Sequence, residues 1–506
     1  MQSVGAAWVV TSLTDSPAQI ALLQTAGSLP LFLVGLLAGA LADVMDRRRL
    51  LLITQTWMLL VAALIGVLTM MELINVWSLL LLTFLLGLGG ALNGPAWQSM
   101  VPDLVGKEHL AQAIALNGAA FNLARAVGPA LGGLLVAATG AGPVFLLNAA
   151  SFLGVIVVIF RWQPQPREQT TPPEGLREAM RAGLRYTRYA PALQVVMIRT
   201  AAFIFAGSAT WALLPVVARQ ELGLGAAGYG LLLGSIGIGA ASSVVLLPRL
   251  RNRLGTDAQM VIATLIFATS TMALGYFRHL WLLNGAMALM GVAWMMLTSG
   301  LNVAAQTSAP DWVKARAVGM YLLVFQGGMA AGSALWGAVA ARVGTTGALQ
   351  VAAIALVAGL TIAWRWRLAT TEDLDLSPSQ HWEEPKVEMD LQPQDGPVLV
   401  TVEYTVAEAD AEAFVQAMSD MQLLRRRDGA VNWGLFRDPC ALERFVETFE
   451  VPTWGEHLRQ HERVTVADRE IEERALRFQR TGTQPRPSHL IAAQPVQVIE
   501  VEQTGD

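Results

Sequence analysis

Charge is scarce in this chain and unevenly spread. Asp, Glu, Lys and Arg make up 15% of its 506 residues, against about 25% in a typical soluble domain. Before residue 368 or so, the sequence is a series of apolar runs joined by short polar loops; after 370 it is ordinary soluble sequence. Cysteine is nearly absent. Cys440 stands alone, which excludes a disulfide within the chain and a thiolate metal site. No Gly-x-x-x-x-Gly-Lys-Ser/Thr loop occurs, which argues against a primary ATP-driven pump. Basic residues of the apolar part sit in its loops, where membrane orientation accounts for them and nucleic acid is not implied. The start lacks the basic region and cleavage site of a signal peptide. About a dozen apolar residues precede Thr14-Asp15-Ser16-Pro17. That is roughly half a span, so the first membrane helix is expected to be truncated, with coding sequence upstream.

The other runs are 18–42, 50–70, 77–98, 110–138, 142–160, 193–217, 226–248, 258–277, 280–300, 315–340 and 347–364. Most are near the roughly 20 residues that cross a bilayer, and with the N-terminal fragment they make twelve candidate crossings. Lys and Arg collect on one side, at Arg47, Arg48, Arg49, Lys107, Arg161 and through the loops near 249–253, 314–316 and 365–367; Arg219, Arg278 and Arg342 fall on the other. That bias places the central loop and both termini in the cytoplasm. Within the central loop, Arg177, Arg181, Arg185 and Arg188 recur on one face of an amphipathic helix. Such a helix lies on anionic headgroups or forms a lipid-regulated site.

The two halves resemble each other. Gly128-Pro129-Ala130-Leu131-Gly132-Gly133 pairs with Gly332-Ser333-Ala334-Leu335-Trp336-Gly337, and Pro102-Asp103 pairs with Pro310-Asp311. Two parallel repeats place a substrate site near mid-membrane, between the halves. Arg125 falls about halfway along its span, where a charge needs water or a partner; it either faces the cavity or makes a structural helix–helix pair. Arg199, nearer a helix end, can snorkel. Asn93, Gln98, Asn117 and Asn122 are polar groups near the inner cavity mouth, suited to packing or to substrate contact. No Asp or Glu lies deep within a complete span.

Gly39 and Asp43, followed by Arg47, Arg48 and Arg49, resemble the signature loop of the major facilitator superfamily. Val44 and Asp46 depart from it. The resemblance implies a gate latch in which Asp43 pairs across the half; the plain alternative is a stop-transfer cluster. Gly128, Pro129, Gly132 and Gly133 resemble the kinked, small-residue fifth helix of exporters in that superfamily. With Asn93-Gly94-Pro95-Ala96-Trp97-Gln98 and the Pro102-Asp103 turn, residues 1 to about 368 are similar to the branch of enterobactin exporters and macrolide or drug efflux proteins, the transmembrane secretion effector type.

In the tail, 398–404 alternates as a strand, 407–427 reads as a helix, 431–436 and 445–451 as strands, and 453–463 and 467–478 as helices. This order suggests a ferredoxin-like α+β domain. It resembles the dimeric domains related to antibiotic-biosynthesis monooxygenases. His457 and His461 stand one helical turn apart, but no third ligand is evident, so no metal and no cofactor is expected.

The expected architecture is therefore an all-α polytopic membrane protein, a major facilitator fold of two six-helix bundles, with a small cytoplasmic α+β domain. Its parts are 1–160 and 193–368 as the bundles, 161–192 and 369–396 as linkers, 397–480 as the soluble domain and 481–506 as a disordered tail. The expected function is non-enzymatic. It is alternating-access, proton-coupled export of small amphipathic molecules (siderophores, macrolides or other drugs) across a bacterial inner membrane, amid membrane lipids, with self-association through the tail domain. A membrane-anchored sensor or monooxygenase-like enzyme is the alternative, and a lipid flippase or importer on the same fold a third reading.

Overall fold

The computed structural model describes residues 1–105, 109–162, 176–251, 255–368, 375–379, 381–382, 387 and 389–493. At 40, 42–44, 99, 101–104, 110–111, 114–115, 119, 121–122, 125–126, 176–179 and 244–251 it describes the backbone alone. Two compact units are present. The first comprises Met1–Leu176, Val195–Gln306 and Arg316–Thr370; the second gathers Arg177–Gln194, Thr307–Ala315 and Thr371–Asp506.

The first unit is helical. Its rods are α1 (Gln2–Leu13), α2 (Pro17–Val44), α3 (Arg47–Met70), α4 (Val76–Leu104), α5 (Leu110–Thr139), α6 (Ala141–Arg161), α8 (Pro191–Val216), α9 (Ala226–Arg251), α10 (Thr256–Tyr276), α11 (Leu280–Thr307), α12 (Asp311–Ala358) and α13 (Leu360–Arg365). Some of these rods extend beyond the unit's limits in sequence. Among the described residues, nine helices are long and apolar enough to cross a membrane.

Local chemistry sets the ends. Pro17 opens α2, where its missing N–H costs nothing. Asp46 caps α3 by accepting from the Arg49 amide at 2.8 Å. Asn75 and Ser78 cap α4 reciprocally. Gly140 ends α5 at φ 81°, and Gly344 breaks α12 at φ 80°, a conformation that favours glycine. The spacing between these two glycines equals that between Gly128 and Gly332, so the repeat seen in sequence extends to the helix breaks.

The second unit contains α7 (Leu176–Tyr189), followed far along the chain by β1 (Val398–Thr405), α14 (Ala411–Asp428), β2 (Val431–Arg437), β3 (Arg444–Val451), α15 (Trp454–Arg463), α16 (Val466–Leu476) and β4 (Arg486–Ile491). The sheet is antiparallel with order β2-β3-β1-β4. Val398, Val400, Val402 and Tyr404 point inward from β1, with Phe445, Phe449 and Val451 from β3. Phe414, Met418 and Met421 of α14 complete that core; truncating Phe414 to Ala removes about 3–5 kcal/mol.

The sequence predicts a disordered tail over 481–506. Arg486–Ile491 are instead a strand, paired with β1 from Val398↔Ile491 to Glu403↔Arg486. Pro487 is tolerated there because β4 is an edge strand. Residues 494–506 lie outside the described residues.

Candidate functional site

Two antiparallel helix crossings join the first-half helices to the second. On α5 and α9, a Cβ placed on Gly133 would stand 2.7 Å from Gly230 Cα and 2.7 Å from the Ala226 carbonyl, and one on Gly234 would stand 3.1 Å from Ala130. On α2 and α12, a Cβ on Gly337 would stand 2.5 Å from Ala21 Cβ, and one on Gly327 would stand 2.7 Å from the Phe32 ring. Thr25 Oγ1 donates to the Ala330 carbonyl at 2.9 Å between these points. Small residues permit such approach.

The α2–α12 crossing loosens along its length. The corresponding distances are 3.5 Å between Gly35 and Leu323, and 3.9 Å between Gly319 and Leu36. Both crossings are thus tightest at the end that carries the α1–α2 turn, Gly140, the α8–α9 turn and Gly344. At that end Arg219 donates to Thr11 Oγ1 at 3.3 Å and covers the Trp8 ring at 5.1 Å, while Gln220 donates to the Asp15 carbonyl at 3.0 Å.

The residues singled out from sequence fall as follows. Gly133 makes the tight α9 crossing, with the Pro129 carbonyl alongside Gly230. Gly132 and Gly128 face Met1 instead. No described atom lies within 4 Å of a Cβ placed on Gly39. Arg48 binds the last carbonyls of α6, at Ile159 (3.3 Å) and Phe160, and lies 5.6 Å over the Phe160 ring; a cation suits a helix C-terminus. Arg47 has partners of its own, and Arg49 is exposed. Asn93 accepts from Thr54 (3.1 Å) and Gln55 (3.2 Å), tying α4 to α3. Gln98 and Asn117 are exposed. The side chains of Asp43, Asn122 and Arg125 lie outside the described residues.

Arg199 does not snorkel. It is 7% exposed and pairs with Asp257 at the start of α10, with Met260 Sδ 3.5 Å away. Arg199 and Met260, with Phe203, Thr264, Leu297 and Leu360, line a small cavity. Beyond it stands an aromatic cluster that sequence reasoning missed. Trp294 packs against Phe203 (5.8 Å), Trp211 (5.1 Å), Phe267 (5.8 Å) and Phe325 (5.9 Å). The only sequence signal was their placement on four separate spans.

In the second unit, α7 is held by protein groups. Arg185 pairs with Glu456 at 2.9 Å and donates to the Arg427 carbonyl at 3.1 Å. Tyr186 is buried, donates to the Ser308 carbonyl at 3.1 Å, and meets Trp312 edge-on. The arginine face is therefore split: Arg181 and Arg188 are exposed, and the Arg177 side chain lies outside the described residues.

Two buried arginines organise the domain beneath. Arg425 binds Glu447 (3.1 Å) and Glu472 (3.3 Å); Arg427 binds Asp428 (2.9 Å) and Asp468 (2.7 Å). Burial works against ionisation of Glu472, but His381 and Arg425 hold its carboxyl below the usual range. Arg427 does the same for Asp468, whereas burial wins at Asp428 and raises it.

The sequence pairs His457 and His461 without a third ligand. The structure brings His489 of β4 beside them, and the ring nitrogens of the three lie within 4.8 Å of one another. Burial and the two neighbouring imidazoles lower His457 to about 3.

A sequence family described as transmembrane secretion effector, of the major facilitator superfamily, matches residues 1–496. The multidrug efflux pump Tap of Mycolicibacterium fortuitum is 25% identical over 330 residues, covering 62% of this chain and 78% of its own. The enterobactin exporter EntS of Shigella boydii is 28% identical over 345 residues, covering 66% and 79%. Among solved structures, a bacterial homolog of the human lysosomal transporter Spinster superposes with TM-score 0.57 at 14% identity, over 73% of this chain and 93% of that one.

Proposed function

Because this chain belongs to the transmembrane secretion effector family of the major facilitator superfamily, a family of multi-span membrane transporters, we propose that it exports small amphipathic molecules by alternating access. The substrate class is that named for its relatives, siderophores and drugs. One observation supports the mechanism: α2–α12 and α5–α9 both cross tightly at one end, and α2–α12 loosens toward the other. In the orientation set by the lysines and arginines, the looser end faces the cytoplasm of a bacterial inner membrane, so substrate enters there or from the inner leaflet. Rocking about the small-residue crossings then exposes the pocket to the far side.

Protons drive the cycle in this reading. Asp43 serves as a latch between states, and Arg125 faces the cavity. The tail domain, strand–helix–strand–strand–helix–helix–strand with sheet order β2-β3-β1-β4, fits a ferredoxin-like sandwich. Its exposed Val431 and Phe436 on edge strand β2 suit self-association, as in the monooxygenase-related domains it resembles.

Everted vesicles test the direction. Energised vesicles containing the chain should accumulate erythromycin or a catecholate siderophore, and Asp43→Asn should abolish the uptake. Accumulation by intact cells in place of vesicles overturns export.

A further inference from the structure

Half of this chain's six histidines converge at one place in the second unit. His457 and His461 share a face of α15, one turn apart. His489 reaches them from β4, where it pairs with Val400 of β1. The His457 ring lies 4.9 Å from that of His461 and 4.7 Å from that of His489. Trp382 flanks His461 at 5.0 Å and Trp454 flanks His457 at 5.3 Å, so aromatic walls surround the cluster.

His457 is the informative member. It is 2% exposed, and neither of its ring nitrogens makes a hydrogen bond among the described residues. Buried polar groups ordinarily find partners; among the described residues the Gln460 side chain bears on the ring without closing a well-formed hydrogen bond, and no carboxylate does. Arg425, the cation that acts on His457, is itself bound by Glu447 and Glu472. His461 and His489 are half-buried, which leaves a path for an ion from solvent.

We propose that His457, His461 and His489 form a reversible binding site for a late first-row divalent metal ion, with Zn2+ as the principal occupant. Neutral imidazoles suit Zn, Cu and Ni, and the ligand cluster found among the described residues is made of imidazoles alone. Metal–nitrogen bonds of about 2.0–2.1 Å set ligand atoms roughly 3.4 Å apart in a tetrahedron, so the three rings close in slightly when metal binds. Three protein ligands leave a fourth position for water or an exogenous ligand, unlike a closed structural site. Because His489 belongs to edge strand β4, the metal fastens that strand to α15.

The experiment uses the full chain in detergent, purified through a tag without histidine and stripped with EDTA. Zn2+ binding is measured by competition with a chromogenic chelator, and Co2+ by its visible absorption. One ion per chain is expected, with the intense visible bands of low-coordinate Co2+. His461→Gln and His489→Gln should each weaken binding by about tenfold or more, while size-exclusion behaviour stays that of the parent chain. Zn2+ binding unchanged in both folded variants overturns the site, as does failure of the parent chain to take up Zn2+ or Co2+.

Discussion

Gly133 of α5 and Gly230 of α9 pack backbone against backbone, so that a Cβ on either would stand within 2.8 Å of the other's Cα. Gly337, the repeat partner of Gly133, meets Ala21 of α2 in the same manner. One duplicated position thus makes both crossings that close this end of the transporter.

Gly133→Leu or Gly230→Leu should hold that end apart. Overpacking costs about 1–3 kcal/mol, which shifts a two-state balance by roughly 5–150-fold. The expected result is lost transport with normal membrane insertion. A cysteine introduced near Ala130 in a Cys440→Ser background should become reachable by membrane-impermeant reagents from the far side. Gly154→Leu on α6, where no described atom comes within 4 Å of an added Cβ, should transport normally.

Arg425→Met should destabilise the second unit by about 3–5 kcal/mol, because it strands the buried carboxylates of Glu447 and Glu472. Adding Glu447→Gln and Glu472→Gln should recover much of the loss. The check is thermal unfolding followed by a fluorophore on Cys440, which is exposed and lies between β2 and β3.

Acid should loosen the same unit. Asp468 and Glu472 are held below their ordinary values of 3.8 and 4.5. Their stabilisation is full above those values and is lost as pH falls through the lower folded-state values. Asp428, raised by burial, runs the other way and offsets part of the loss. Melting of the Cys440-labelled chain should therefore fall steeply below about pH 4.5, and Arg427→Gln should flatten the dependence.

Arg199 and Asp257 should couple. Arg199→Ala removes a cation from the cavity lining and leaves the Asp257 carboxylate without its partner, and transport is expected to drop. The double swap Arg199→Asp with Asp257→Arg should restore more activity than either single change. Equal loss in the swap and the singles would show that the pair is not what matters.

Much of this was legible in the sequence, for physical reasons. Apolar runs near bilayer length mark membrane helices, and glycines at duplicated spacing mark close crossings, because both are local properties. Gly133 could be singled out; its partner Gly230 could not, since the contact joins distant spans. His489 was hidden in a short segment beside Pro487, where strand periodicity is weak. The arginine face of α7 was visible, but an amphipathic helix meets lipid and protein with the same pattern, and only the fold pairs Arg185 with Glu456. Asp257 as the partner of buried Arg199 was likewise out of reach of spacing.

Arg185 and Glu456 are 271 residues apart. At ribosomal rates of about 5–20 residues per second, α7 leaves the ribosome roughly 15–50 s before its counterpart exists. During that interval nothing built from the C-terminal stretch can shelter Tyr186. A nascent α7 resting on the bilayer surface until the last strand arrives would bridge the gap, so translation arrest near residue 390 should yield a protein whose hairpins are inserted but whose central loop is open to protease.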